Sequence, residues 1–168
     1  MIQRATAAAG LSKLEAFSLV AREMKILVST DGSGLSDKAI STAVELAGAL
    51  KAQLVAMTAV DSYAYAGYAA YDDEEAHDEI QFDAKQAAAA HDRLAAVERA
   101  AQAAGLAYEL VMSRTSPPWK AILDCAQAND CAMIVMASHG RGGLGALILG
   151  SETQKVLAHS DRPVLVVR

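Results

Sequence analysis

The residues with the most chemical promise lie in one stretch near the end of the chain. Ala137-Ser138-His139-Gly140 is followed by nine residues, Arg141 to Leu149, and then by Gly150-Ser151. Glycine has no Cβ, so its backbone N–H can approach an anion closely, and a helix opening after such a turn adds partial positive charge. The stretch comes straight after the apolar segment Met133-Ile134-Val135-Met136. Two glycine turns at the end of a buried strand, with a hydroxyl beside the second, suggest a nucleotide polyphosphate site.

Two common glycine motifs do not account for it. Gly140-Arg141-Gly142-Gly143-Leu144-Gly145 matches the dinucleotide pattern G-x-G-x-x-G. That pattern needs a following helix and second strand, with an acid about 20 residues on to hold the ribose. Here the last strand, Val164 to Val167, ends in Arg168. A phosphate loop fails too, because Ala146-Leu147 stands where Lys followed by Ser or Thr is required.

Other candidate residues have competing explanations. Asp31, in Ser29-Thr30-Asp31-Gly32, either contacts a ligand or caps the helix that follows. His139 lacks Ser–His–Asp or metal-ligand spacing around it, so a backbone phosphate contact is favoured over proton transfer. Arg141 either pairs with a phosphate or extends into solvent. His77, His91 and His159 lie on charged helical faces and read as solvated. Tyr63, Tyr65, Tyr68 and Tyr71 form a lid, a partner surface or a packed loop. The acidic run from Asp72 to Glu79 reads as a charged helix start rather than a divalent metal site. Cys125 and Cys131 are too few for a disulfide framework and read as small core residues in a reducing cytoplasm.

Strands and helices alternate along the chain, and this order is what must position the glycine turns. Apolar runs predict strands at Ile26 to Val28, Leu54 to Val60, Tyr108 to Met112, Met133 to Met136 and Pro163 to Val167. Ile40, Ala43, Val44, Ala47 and Leu50 repeat at helical spacing. A long helix ends near Ala104, with Gly105 as its cap. Pro117-Pro118-Trp119 opens another, and Ser151 to His159 forms the last. This pattern predicts an α/β fold, an open five-stranded parallel sheet with helices on both faces. Ligands in such sheets bind beyond the carboxyl ends of the strands. Asp31, Ala59-Val60-Asp61 and Ala137 to Gly140 all fall there.

Length and composition set outer bounds. A chain of 168 residues with 53% apolar content suits one domain with a real core. The net charge of −5 argues against nonspecific nucleic-acid binding, which needs a basic stripe. No apolar stretch reaches membrane-spanning length. Residues 1–23 carry Arg4, Lys13, Glu15 and Arg22, which exclude a signal-peptide apolar core. Leu11, Leu14, Phe17 and Ala21 allow a short amphipathic helix. Residues 1–23 are therefore expected to be an extension translated from an upstream start, with the domain running over 24–168.

The stretch IVMASHGRGGLGALILGSETQKVLAHSDRPVLVVR, from Ile134 to Arg168, and the opening Met24 to Ser33 together resemble the universal stress protein family. The resemblance implies a Rossmann-like sheet of the adenine nucleotide alpha hydrolase type and a homodimer through the last strand, 163–167. One branch of the family binds ATP through a glycine, two residues, a second glycine, nine residues, then Gly-Ser or Gly-Thr. Here the second glycine is Gly140 and the closing pair is Gly150-Ser151, but the first glycine position holds Ala137. Asp31 would approach the ribose or base, and the backbone of Ser29 and Ala59 would border the adenine. His139, Gly140, Arg141, Gly142 and Gly143 would wrap the phosphates, with Ser151, Glu152 and Thr153 closing over them. Thr30 and Ser138, in the same two turns, belong to the implied set.

The family expectation is thus a cytoplasmic regulatory module that binds ATP or AMP, with magnesium as a candidate bridge between phosphates. It would not be an enzyme and would have no nucleic-acid or membrane partner. The alternative is a nucleotide-independent dimeric interaction protein of the same fold. A slow ATPase ranks last, because no positioned base or arginine finger is evident. Ala137 is the point of departure. If its φ is positive, the methyl costs on the order of 1 kcal/mol; if negative, it is a small intrusion.

Overall fold

Strands that lack polar alternation must be covered on both faces, and the three central strands of this protein are. A computed structural model describes residues 24–60, 75–140 and 149–168, with side chains of the long helix described from Ile80 onward. The elements in chain order are β1 (Lys25–Ser29), α1 (Gly34–Leu50), β2 (Gln53–Ala59), α2 (Glu75–Ala103), β3 (Tyr108–Ser113), α3 (Pro118–Ala128), β4 (Met133–Ala137), α4 (Ser151–His159) and β5 (Val164–Val167). The five strands form one sheet in the order β3-β2-β1-β4-β5, and every pairing is parallel. The expected fold class is the observed one.

Alternate residues of each strand feed two separate cores. Ile26, Val28, Leu54, Ala56 and Val135 face Ala39, Ile40, Ala43 and Ala47 of α1 and Leu94, Val97 and Ala101 of α2. Leu27, Val55, Met57, Ile134 and Met136 face Ala121, Ile122, Cys125 and Ala126 of α3 and Val156 of α4. Small alanines on the inward helix faces let the helix backbones lie close to the sheet. Cys125 and Cys131 are buried in the second core, and burial pushes both thiols up to about 11.

Helix ends follow local chemistry. Ser33, rather than Asp31, caps α1: its Oγ accepts from the Ser36 N–H at 3.2 Å. Gly105 takes φ +66°, and the N–H groups of Gly105 and Leu106 donate to the carbonyls of Gln102 and Ala101. That is the glycine-closed helix end expected at this position. His159 is exposed, as expected, and its ring lies 4.8 Å from the Trp119 ring. The tyrosine run, the acids Asp72 to Glu74, the side chain of His77 and the loop residues Arg141, Gly142 and Gly143 fall outside the described residues.

The chain runs outward from β1 to β3, then returns to place β4 on the other side of β1. Loops at the carboxyl ends of β1 and β4 therefore diverge and leave a crevice between them. β5 and β3 are the sheet edges. Among the described residues, no helix is long and apolar enough to cross a membrane.

Candidate functional site

The crevice above β1 and β4 is a cleft of about 600 Å³, within the range of small-molecule sites. One rim is the turn after β1. The Thr30 N–H donates to the Met57 carbonyl at 2.9 Å. Thr30 Oγ1 accepts from the Gly32 N–H at 3.1 Å and shares a hydrogen bond with Ser36 Oγ at 3.0 Å. Gly32 has φ 75°, a conformation that favours glycine. Asp31 Oδ1 accepts from the Ser33 N–H at 3.0 Å, which fixes its carboxylate at the cleft.

The opposite rim is built from the end of β4 and the start of α4. Ala137 is still in the strand, paired with Val167. Among the described non-glycine residues only Lys51 and Asp130 have positive φ, so Ala137 carries no left-handed strain. Its side chain packs against the α1 face of the core, and its carbonyl accepts from Thr153 Oγ1 at 3.1 Å. The Ser138 N–H donates to the Val167 carbonyl at 2.8 Å, and the Ser138 carbonyl accepts from the Gly150 N–H at 2.8 Å. Ser138 is buried and holds the rim together rather than lining the cleft. Its Oγ shares a hydrogen bond of 3.1 Å with His139 Nδ1.

Both described glycine anchors sit at close approaches. A Cβ on Gly140 would lie 2.7 Å from Asp31 Oδ2, and one on Gly150 would lie 3.1 Å from His139 Cα and 3.3 Å from the Ser138 carbonyl oxygen. Residues separated by about a hundred positions, Asp31 and Gly140, thus meet across the strand-order switch point. The N-cap Gly150 opens α4, and the first-turn N–H groups of that helix have no intrahelical acceptor. Its positive end therefore faces the cleft at Ser151.

Of the residues expected at the site, Ser29, Thr30, Asp31, Ala59, Ala137, His139, Gly140, Gly150, Ser151, Glu152 and Thr153 line this cleft. Thr153 is buried, its hydroxyl engaged with Ala137. Glu152 Oε2 accepts from the Trp119 N–H at 2.8 Å, so its carboxylate reaches across to α3. Sequence reasoning missed the apolar wall of Met57, Met136, Ile122, Pro118 and Leu149, together with Ser36. Met57 and Met136 stand near the carboxyl ends of β2 and β4, the strands on either side of β1, a signal that could have placed them. Arg93 was also missed: from α2 it donates to the Ala59 carbonyl at 3.3 Å. Nothing in its helical spacing marks that reach. No cluster of three or more His, Cys, Asp or Glu suited to a metal occurs among the described residues.

An open parallel sheet with a glycine-edged cleft at its switch point defines a Rossmann-like α/β protein. The chain belongs to the universal stress protein family, whose model matches residues 24–168. It is 34% identical over 151 residues to the universal stress protein YxiE of Bacillus subtilis, covering 86% of this chain and 98% of that protein. Among solved structures, universal stress protein UspA of Lactobacillus plantarum superposes with a TM-score of 0.66 at 28% identity, covering 88% of this chain and 99% of the other. A universal stress protein of Archaeoglobus fulgidus in complex with dAMP superposes with a TM-score of 0.61 at 18% identity, covering 86% and 98%.

Proposed function

We propose that this chain is a regulatory module that binds an adenine nucleotide, ATP or AMP, at the carboxyl ends of β1, β2 and β4. The observation that carries this reading is the pair of close approaches at Gly140 and Gly150. They keep the backbone bare at the mouth of a cleft that also receives the positive end of α4. The base would lie on the apolar wall beside the backbone of Ser29 and Ala59, and the ribose near Asp31. The phosphates would meet the first turn of α4 at Ser151, with the loop of Arg141, Gly142 and Gly143 contributing beyond the described residues. Magnesium would bridge the phosphates where more than one is present. The dAMP complex of the Archaeoglobus relative supports the choice of an adenine nucleotide.

The nucleotide would act through conformation or partner contact in the cytoplasm, not through turnover. Pairing of β5 with its copy would give a homodimer, since an exposed edge strand presents unpaired backbone groups. Titration calorimetry with ATP and with AMP tests the nucleotide reading. Saturable heat lost on replacing Gly140 or Gly150 with a bulky residue is expected, and no binding of either nucleotide at millimolar concentration would refute it.

A further inference from the structure

We propose that Arg93 of α2 is a positioning residue for the base: it holds the Ala59 carbonyl where that oxygen accepts from the amino edge of an adenine. The inference rests on the nucleotide reading above. It adds to the site a helix of which no described residue lines the cleft.

The strand ladder shows which way that carbonyl points. In a central strand of a parallel sheet, the backbone groups of successive residues bond alternately to the two neighbouring strands. The Val60 N–H donates to the Ser113 carbonyl on the β3 side, and the Met57 carbonyl accepts from the Thr30 N–H on the β1 side, both at 2.9 Å. Ala59 is two residues beyond Met57 and one before Val60, so its carbonyl points toward the β1 side. There β1 pairs with β2 only as far as Ser29 opposite Met57. Ala59 is the last residue of β2 and lines the cleft. Its oxygen thus stands at the cleft, past the ladder that fixes the carbonyls before it.

Arg93 tethers it. Its Nη1 donates to the Ala59 carbonyl at 3.3 Å and to Thr58 Oγ1 at 3.5 Å. One nitrogen therefore bridges two consecutive residues at the strand end, and Thr58 itself is buried. The next residues of the same helix, Leu94 and Val97, are buried against the face of the sheet opposite the cleft wall of Met57, Ile122 and Met136. The guanidinium accordingly reaches the strand end from behind. A carbonyl oxygen carries two lone pairs, so the bond from Arg93 leaves a second acceptor direction for a ligand. The 6-amino group of adenine is a donor that suits it. A purine without that group gains nothing from this oxygen.

The test is titration calorimetry with AMP and with purine riboside 5′-monophosphate, which lacks only the 6-amino group. The unaltered protein is expected to bind AMP more tightly. Arg93→Met keeps the aliphatic reach and removes the donor. It should weaken AMP about fivefold, the loss expected of one hydrogen bond, and the analogue less than about twofold. Arg93→Lys keeps a donor but not the planar fork. It should give an intermediate AMP-to-analogue ratio, and it supplies the readout if Arg93→Met folds poorly. Four results would overturn the proposal: equal affinity of the unaltered protein for the two ligands, a ratio unchanged in the variants, equal losses for both ligands, or tighter AMP binding. The last would make Arg93 a competitor of the base for the carbonyl. Failure of the unaltered protein to bind either ligand would instead overturn the nucleotide reading on which it stands.

Discussion

Replacing Gly150 with alanine separates close approach from backbone freedom. Gly150 has φ −59° and ψ 150°, which alanine adopts without strain, so no conformational penalty arises. The added Cβ would lie 3.1 Å from His139 Cα and 3.3 Å from both His139 Cβ and the Ser138 carbonyl oxygen. All three are backbone or backbone-attached atoms, and the turn must move by a few tenths of an ångström. Overpacking of this kind costs about 1–3 kcal/mol, against about 0.4–1 kcal/mol gained by restricting the unfolded chain. The net expectation is a loss of about 1 kcal/mol and a Tm lower by about 2–4 °C. Ligand affinity should fall further, by about tenfold or more, because the displaced residues, Ser138 and His139, belong to the turn proposed to hold the phosphates. Gly48→Ala is the control: the site is exposed on α1, with nothing within 4 Å of the added Cβ. That change should raise stability by about 0.5–1 kcal/mol and leave affinity unchanged. Thermal denaturation and titration calorimetry on the two variants decide the matter. A Gly150→Ala protein as stable as the unaltered one and equally able to bind would refute the close-approach explanation.

Ala137→Gly should lower stability by about 1 kcal/mol, from lost strand preference and one partly buried methyl, while changing nucleotide affinity less than about twofold; a tenfold gain in affinity would show that the methyl does obstruct the ligand. The two buried thiols, pushed up from 9 to about 11, stay protonated in the fold after the unfolded chain has lost those protons. Their contribution to stability is therefore complete below pH 9 and lost as the pH rises toward 11. Denaturant unfolding across that window should show the decline, and a Cys125→Ala, Cys131→Ala protein should show a shallower one. Val164→Lys or Val166→Lys on the edge strand β5 should yield monomers or aggregates in sedimentation, and unchanged dimers would refute that interface.

Much of the fold was legible because its signals are local. The unbroken apolar runs at Ile26, Leu54 and Met133 require strands covered on both faces, and the proline and glycine punctuation at Pro118 and Gly105 marks helix ends through backbone geometry alone. The glycine anchors were legible by spacing. The cap of α1 was not, because Asp31 and Ser33 are both capping residues and only the turn shows which one points along the helix. The partner of Glu152 was not legible for a related reason: the Trp119 amide that its carboxylate accepts from lies more than thirty residues earlier and on another helix.

The order of apolar runs, breakers and glycines thus determined the class of sheet, the end of it that carries the site, and the backbone positions at its rim. Tertiary structure decided what each rim residue does. Ala137 turned out to be a strand residue packed against the core at the edge of the cleft, Gly140 a residue that meets the Asp31 carboxylate across the crevice, and Glu152 a carboxylate bonded to a neighbouring helix. Spacing along one chain constrains dihedral angles and faces. Contacts between residues a hundred positions apart depend on how the strands are ordered, and only the folded sheet brings those residues within hydrogen-bonding or van der Waals distance.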